Sequence, residues 1–172
     1  MNNDELELDF ELTKSIAPEL SEMAVRLVSV LAERNPPAHL ENLSFTLSTA
    51  GVEWIRGDEG NRAIVVFPFN LVVHATGKTG EVVDVARFGL TYHLIYSFKR
   101  SLESSTDAAM QSFVAFYGSI HIWPYARAEF QHLSSKINLP ALTLPVLNIG
   151  SLPSGFSIKP VQRAQEESEL PG

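Results

Sequence analysis

The chain contains no cysteine. That excludes disulfides, thiolate-bound zinc and thiol catalysis, and it fits a reducing, cytoplasmic setting. Long apolar runs are missing too. The most extended apolar stretch, Ala63 to Val73, is interrupted by Pro68 and Asn70 and is too short to cross a bilayer. Basic residues are scarce, with 13 Lys and Arg against 20 Asp and Glu, a formal net charge of −7. Such a balance argues against nucleic acid or an anionic membrane as the main partner. The first residues carry Asp4, Glu5, Glu7, Asp9 and Glu11, the wrong sign of charge for a secretory signal. No Gly-x-Ser-x-Gly elbow is present, which weakens an enzyme reading without excluding it.

What is present reads as one ordinary globular domain: 172 residues, 45% of them hydrophobic. A chain of this length can bury about 70% of its unfolded surface. Residues 1–14 look weakly structured, and Pro18 can open a short helix. The stretch Val25–Glu33 fits either a helix or a Val-rich strand. Leu43, Phe45 and Leu47 alternate with Ser44, Thr46 and Ser48, which predicts a half-buried strand. A second strand covers 63–76, with Pro68 marking an edge position or a bulge. Phe88, Leu90, Tyr92, Leu94 and Tyr96 alternate with Arg87, Gly89, Thr91 and His93, a long strand with one apolar face. The period then changes. Thr106 is a candidate N-cap, and Met110, Phe113, Val114 and Tyr117 form one helical stripe. Gly118 stops that helix and Ser119 caps another. In the second, Trp123, Ala126, Phe130, Leu133 and Ile137 are spaced three, four, three and four apart, a 3.5-residue period that suits packing on another helix, within the protomer or between protomers. Asn138 and Pro140 end it. Strands first and helices last is an α+β order.

Two short patterns invite more chemistry than they support. Gly77-Lys78-Thr79 resembles the end of a phosphate-binding loop, but Val72 stands where the loop needs glycine and a strand follows where it needs a helix. A hairpin turn is the better reading. Glu129 and His132 have half of a helical metal-site spacing without the other half, so no metal or other cofactor is expected.

The segment after the second helix, "LPALTLPVL", is apolar, yet Pro140 and Pro145 bar both a regular helix and a central strand. Together with Pro124, Tyr125 and Arg127 upstream, the sequence Leu139, Pro140, Leu142, Leu144, Pro145 resembles the SecB family of protein-export chaperones. The match carries motif content over roughly 113–148. The resemblance implies a SecB-like domain over 1–150: a four-stranded antiparallel sheet with a long C-terminal helix packed on one face. It places a first strand at about 25–33. It also implies a homotetramer, a dimer of dimers, that holds unfolded or aggregation-prone client proteins without ATP and hands them in export to the translocase motor. One departure is clear. Residues 148–165 carry two prolines and two glycines, so the second helix of the export members is not expected, and 151–172 read as a flexible acidic tail. That resembles more the SecB-like chaperones that guard aggregation-prone antitoxins or other clients, and the residues leave the choice between export and guarding open.

On this reading the client groove is lined by Leu43, Phe45 and Leu47 on the strand, by Tyr117 and Trp123 on the helices, and by Leu139, Leu142, Leu144 and Leu147 in the proline-interrupted segment. Trp123, Ala126, Phe130, Leu133 and Ile137 form the oligomer seam. The residues themselves also allow a plainer arrangement, in which the Leu-Pro segment packs on the protein's own sheet. A subunit with one fixed protein partner and a small-ligand or enzyme domain are the rival functions. No membrane insertion is expected.

Overall fold

Alternation organises the sheet. In the computed structural model, which describes residues 10–35, 42–49, 51–57, 59–140, 142–144 and 158–160, two long strands form the centre: β4 (Arg62–Thr76) and β5 (Val82–Phe98). Every second residue of each is buried on one face: Val65, Phe67, Phe69, Leu71 and Val73 on β4, and Phe88, Leu90, Tyr92, Leu94 and Tyr96 on β5. A period of two puts these side chains on the same side of a pleated sheet, where each large one contributes about 1.5–3 kcal/mol by leaving water. Gly77 to Gly80 make the tight turn between them, with the Gly80 N–H donating to the Gly77 carbonyl. Gly80 has a φ of 87°, open only to glycine without strain.

β1 (Leu20–Arg34) pairs antiparallel with the other edge of β5, so the Val-rich stretch is a strand. It is preceded by α1 (Phe10–Ile16) and a 3₁₀ turn, Ala17–Glu19, that holds Pro18. The helix α1 corrects the expectation of a weakly structured 1–14 from Phe10 onward. β2 (Leu43–Ser48) and β3 (Val52–Arg56) both pair antiparallel with β4, one after the other along the same edge. The β2 pairs end at Asn70 and the β3 pairs begin at Val66, and Pro68 falls in the gap. A residue without an N–H is tolerated there because no ladder partner is required of it. The antiparallel sheet therefore has five strands rather than the four expected. The fourth lateral position is split between β2 and β3.

A sixth strand, β6 (Ile158–Pro160), runs parallel to β3 on its outer edge. These three residues lie within the stretch 151–172 that reads as a flexible acidic tail, and they pair with β3. They also form a strand rather than any part of a second helix.

α2 (Asp107–Phe113) starts at Thr106, whose hydroxyl accepts from the Ala109 N–H at 3.2 Å. Gly118 does not stop it. A π-helical turn, Val114–Gly118, runs directly into α3 (Ser119–Lys136). The reason for glycine is close approach: a Cβ at 118 would sit 2.8 Å from Phe67 Cζ. Pro124 lies inside α3, beyond the first four positions whose N–H groups lack a partner, so its missing N–H takes one hydrogen bond out of the helix. The far end closes with Asn138 at φ 54°, Asn138 N–H on the Ser135 carbonyl and Leu139 N–H on that of Ser134. This is the paired-bond left-handed cap. Arg34 adds its guanidinium, donating to the Ile137 carbonyl at 2.7 Å and the Asn138 carbonyl at 3.3 Å. A cation at that end also meets the negative pole of the helix.

Candidate functional site: an open apolar flank beside a closed core

α3 lies along the middle of the sheet. Trp123 leans on Phe69, His121 on Tyr96, and Phe130 meets Phe88 edge to face at 6.2 Å. The helix thus follows β5 backwards, from its Tyr96 end to its Phe88 end. Arg34 fixes its terminus at the row where Ala86 pairs with Arg34. Trp123, Ala126, Phe130 and Leu133 are all buried in this contact, and Ile137 packs against the same core. The stripe expected to form the oligomer seam therefore faces the protomer's own sheet. Its 3.5-residue period marks a buried face, and here that face meets a sheet rather than a second helix. The side of α3 turned away from the sheet shows Pro124, Tyr125, Ala128 and His132.

The Leu-Pro segment takes the plainer of the two arrangements open to it. Leu139, Leu142 and Leu144 are buried, whereas Pro140 and Thr143 are exposed. Ser134, fully buried, anchors the segment: its carbonyl accepts from Leu139 N–H at 2.9 Å, and its hydroxyl accepts from Leu142 N–H at 3.5 Å. These three leucines are core residues in the folded protomer, not an open groove wall. The prolines bar a regular element, and the leucines still leave water by alternating inward along an extended chain. Leu147 lies outside the described residues.

The strand residues behave differently. On the helix side of the sheet, register places Leu47, Leu71 and Phe88 in one row, Phe45, Val73 and Ala86 in the next, and Leu43, Ala75 and Val83 in the third. Within these rows Leu71, Phe88, Val73, Ala86 and Ala75 are buried. At the β2 edge Phe45 stays 37% exposed, with Leu43 and Leu47 half-buried, and Val83 is 47% exposed at the hairpin end. The structure thus gathers Leu43, Phe45 and Leu47 on one open flank. Trp123 lies one row away, against Phe69, and Tyr117 lies farther off, towards the Tyr96 end of β5. Tyr117 is half-buried and stacks on Phe113 at 5.3 Å, and Trp123 is buried.

A second open flank was not anticipated. α3 leaves β1 uncovered, so Met23, Leu27 and Val30 on the helix side are 38%, 41% and 46% exposed, and Val28 and Leu31 are exposed as well. Val28 is the extra residue of a bulge between the Leu27–Tyr92 and Ser29–Thr91 pairs. A signal for this flank exists in the sequence: apolar residues fall at both parities of "VRLVSVL", as on a strand with two apolar faces.

On the opposite face of the sheet a polar chain ties the β2 flank in place. Thr46 Oγ1 lies 3.1 Å from His74 Nε2, His74 Nδ1 lies 2.9 Å from Asp84 Oδ1, and Arg87 donates to Asp84 Oδ2 at 2.8 Å. With the proton on Nδ1, the imidazole donates to Asp84 and accepts from the Thr46 hydroxyl. The Arg87 guanidinium first, and His74 second, hold the Asp84 carboxyl below its ordinary range. The chain spans β2, β4 and β5, so it braces the short strand that carries Phe45.

Elsewhere, burial pushes the Tyr96 phenol far up, and its hydroxyl meets His121 Nδ1 at 3.0 Å. Burial lowers the pKa of His121. Tyr92 is pushed up to about 12 by burial and by the nearby Glu129 carboxylate. Among the described residues no group of three or more His, Asp or Glu could hold a metal ion, and no helix is long and apolar enough to cross a membrane. Glu129 is half-buried and His132 exposed, and they gather no further ligand.

The chain matches no protein-family model and no curated protein. Among solved structures it is similar to the Mycobacterium tuberculosis Rv1957 SecB-like chaperone, solved in complex with a ChAD peptide from the Rv1956 HigA1 antitoxin. The TM-score is 0.62 at 19% identity, over 80% of this chain and 97% of that chain. A protein of unknown function from Streptococcus agalactiae aligns at a TM-score of 0.31 and 10% identity, over 73% of this chain and 100% of that one, and adds nothing to the argument. At such identities the likeness is one of fold, and it is the fold that the Pro-Tyr-x-Arg and Leu-Pro motifs imply.

Proposed function

We propose that this protein is an ATP-independent chaperone of the SecB-like kind, which holds extended, non-native polypeptide against the open apolar flank of β2. The observation that carries this reading is the contrast within single rows of the sheet. In the rows that begin at Phe45 and Leu43, Val73, Ala86 and Ala75 are buried on the central strands, yet Phe45 and Val83 at the ends are exposed and Leu43 is half-buried. Apolar burial is non-directional, so such a flank accepts many sequences. Each client Leu or Phe that becomes fully buried contributes about 1.5–3 kcal/mol. Several weak contacts along one extended client add through effective concentration. The site asks for no nucleotide.

Assembly belongs to the same proposal. The outer edge of β1, which has no strand partner among the described residues, and its five exposed apolar residues suit pairing with further copies, and the outward face of α3, with Tyr125 48% exposed, suits contact between pairs. A homotetramer would set several flanks side by side. The similar Rv1957 SecB-like chaperone was solved in complex with an antitoxin peptide, and this supports a second reading in which the flank serves one dedicated antitoxin-like client.

The test is suppression of aggregation. The wild-type protein, without ATP, should keep a diluted, denatured polypeptide from scattering light. Phe45→Asp should lose that protection, because a carboxylate on the flank must be desolvated when an apolar side chain covers it. Its circular dichroism should be unchanged, since Phe45 is an edge residue. Full protection by a folded Phe45→Asp protein would refute the site. Protection of one antitoxin and of no other client would favour the second reading.

A further inference from the structure

β6 is an unusual strand for a protein to leave on an edge. It has three residues, it is parallel to its neighbour, and it ends in Pro160, which brings no N–H to a ladder. Parallel pairing is also slightly less stable per residue than antiparallel pairing. Its register covers Val52 to Trp54 only, so Ile55 and Arg56 of the five-residue β3 have no strand on that side among the described residues.

We infer that the outer edge of β3 is a strand-addition site for an extended segment of client polypeptide, and that Ile158–Pro160 is the chain's own displaceable occupant of it. The inference rests on the holding function proposed above and adds where the client's backbone is read. An incoming strand pairs over all five residues of β3, where β6 pairs over three. Main-chain hydrogen bonds carry no side-chain code, so the edge tolerates client sequence in the way strand-addition sites do. The tail is tethered, so it rebinds whenever the edge is empty and shields it from pairing with other edges. Client affinity is then reduced by the fraction of molecules in which β6 is closed.

The absence of cysteine makes a reversible lock possible in the full chain. Glu53 and Lys159 are register partners, so Glu53→Cys with Lys159→Cys can join β6 to β3 by a disulfide. A permanently unfolded polypeptide with reduced, carboxymethylated cysteines serves as the client. The oxidised, locked protein should bind it at least about tenfold more weakly than the same protein reduced. Lys159→Pro, which takes a backbone donor out of the three-residue strand, should bind it more tightly than wild type. Equal binding by locked and reduced protein, or weaker binding by Lys159→Pro, would overturn the strand-addition site while leaving the holdase reading standing. If neither wild-type nor reduced protein binds the client at all, the holdase reading falls and takes this inference with it.

Discussion

Leu144→Ala decides whether the proline-interrupted segment is core or binding surface. Leu144 is 0% exposed, on an extended stretch anchored by the buried Ser134. Truncating a leucine in such a place removes its transfer free energy and leaves a cavity, about 2–5 kcal/mol in total. Against a total stability of about 5–15 kcal/mol that is a large fraction. For a chain of this size each kcal/mol moves the melting midpoint by about 2–4 °C, so the expected fall is roughly 5–15 °C. Phe45→Ala is the control. It takes a larger side chain from a more exposed, edge position, and it should cost less stability while weakening client holding more. The assay is thermal unfolding followed by circular dichroism, with client binding measured on both variants well below their midpoints. If Leu144→Ala melts like wild type and fails to hold client, the segment is a groove wall after all, and the burial argument is wrong.

Two further outcomes follow from single contacts. Gly118→Val places side-chain atoms against the buried Phe67 ring, where even a Cβ would approach to 2.8 Å, and should cost about 1–3 kcal/mol by overpacking; an unchanged melting midpoint would show that the ring can yield. His121 has its pKa lowered by burial, so the native state binds its proton less readily than the unfolded chain, and the stability it confers is present above the ordinary histidine range and lost as pH falls through it. The melting midpoint of wild type should therefore drop more steeply than that of His121→Asn between about pH 7 and pH 5, and parallel curves would remove His121 from the account.

What could be read from the sequence was local. The Thr106 cap, the Asn138 and Pro140 stop, the alternation of β5 and the hairpin at Gly77–Gly80 each depend on neighbouring residues, and each stands in the structure as expected. The misses depend on distant partners. Gly118 looks like a helix stop until Phe67 is packed on it, and then it is a point of close approach within a continuing helix. The Trp123–Ile137 stripe announces a buried face by its period, but the period cannot say whether that face meets a helix or a sheet. Splitting one edge of β4 between β2 and β3 requires a partner strand that alternation alone does not name. The nature of β1 needed the family resemblance, because Val and Leu at both parities fit a two-sided strand and a buried helix equally well. Within the candidate site, Phe45 and its neighbours were legible as a half-buried strand. Leu139, Leu142 and Leu144 are buried although the prolines beside them bar a regular element, because proline excludes regular structure without excluding burial.

The central claim is that this fold holds unfolded polypeptide on an open apolar flank. Its most direct test is a mass measurement in solution, by light scattering after size separation, of the protein alone, with a permanently unfolded polypeptide, and with the same polypeptide in its folded form. The account predicts a discrete complex with the unfolded chain, formed without nucleotide and lost in Phe45→Asp, and none with the folded form. A wild-type protein whose mass does not change with the unfolded chain at micromolar concentration, or one that binds folded and unfolded forms alike, would contradict it.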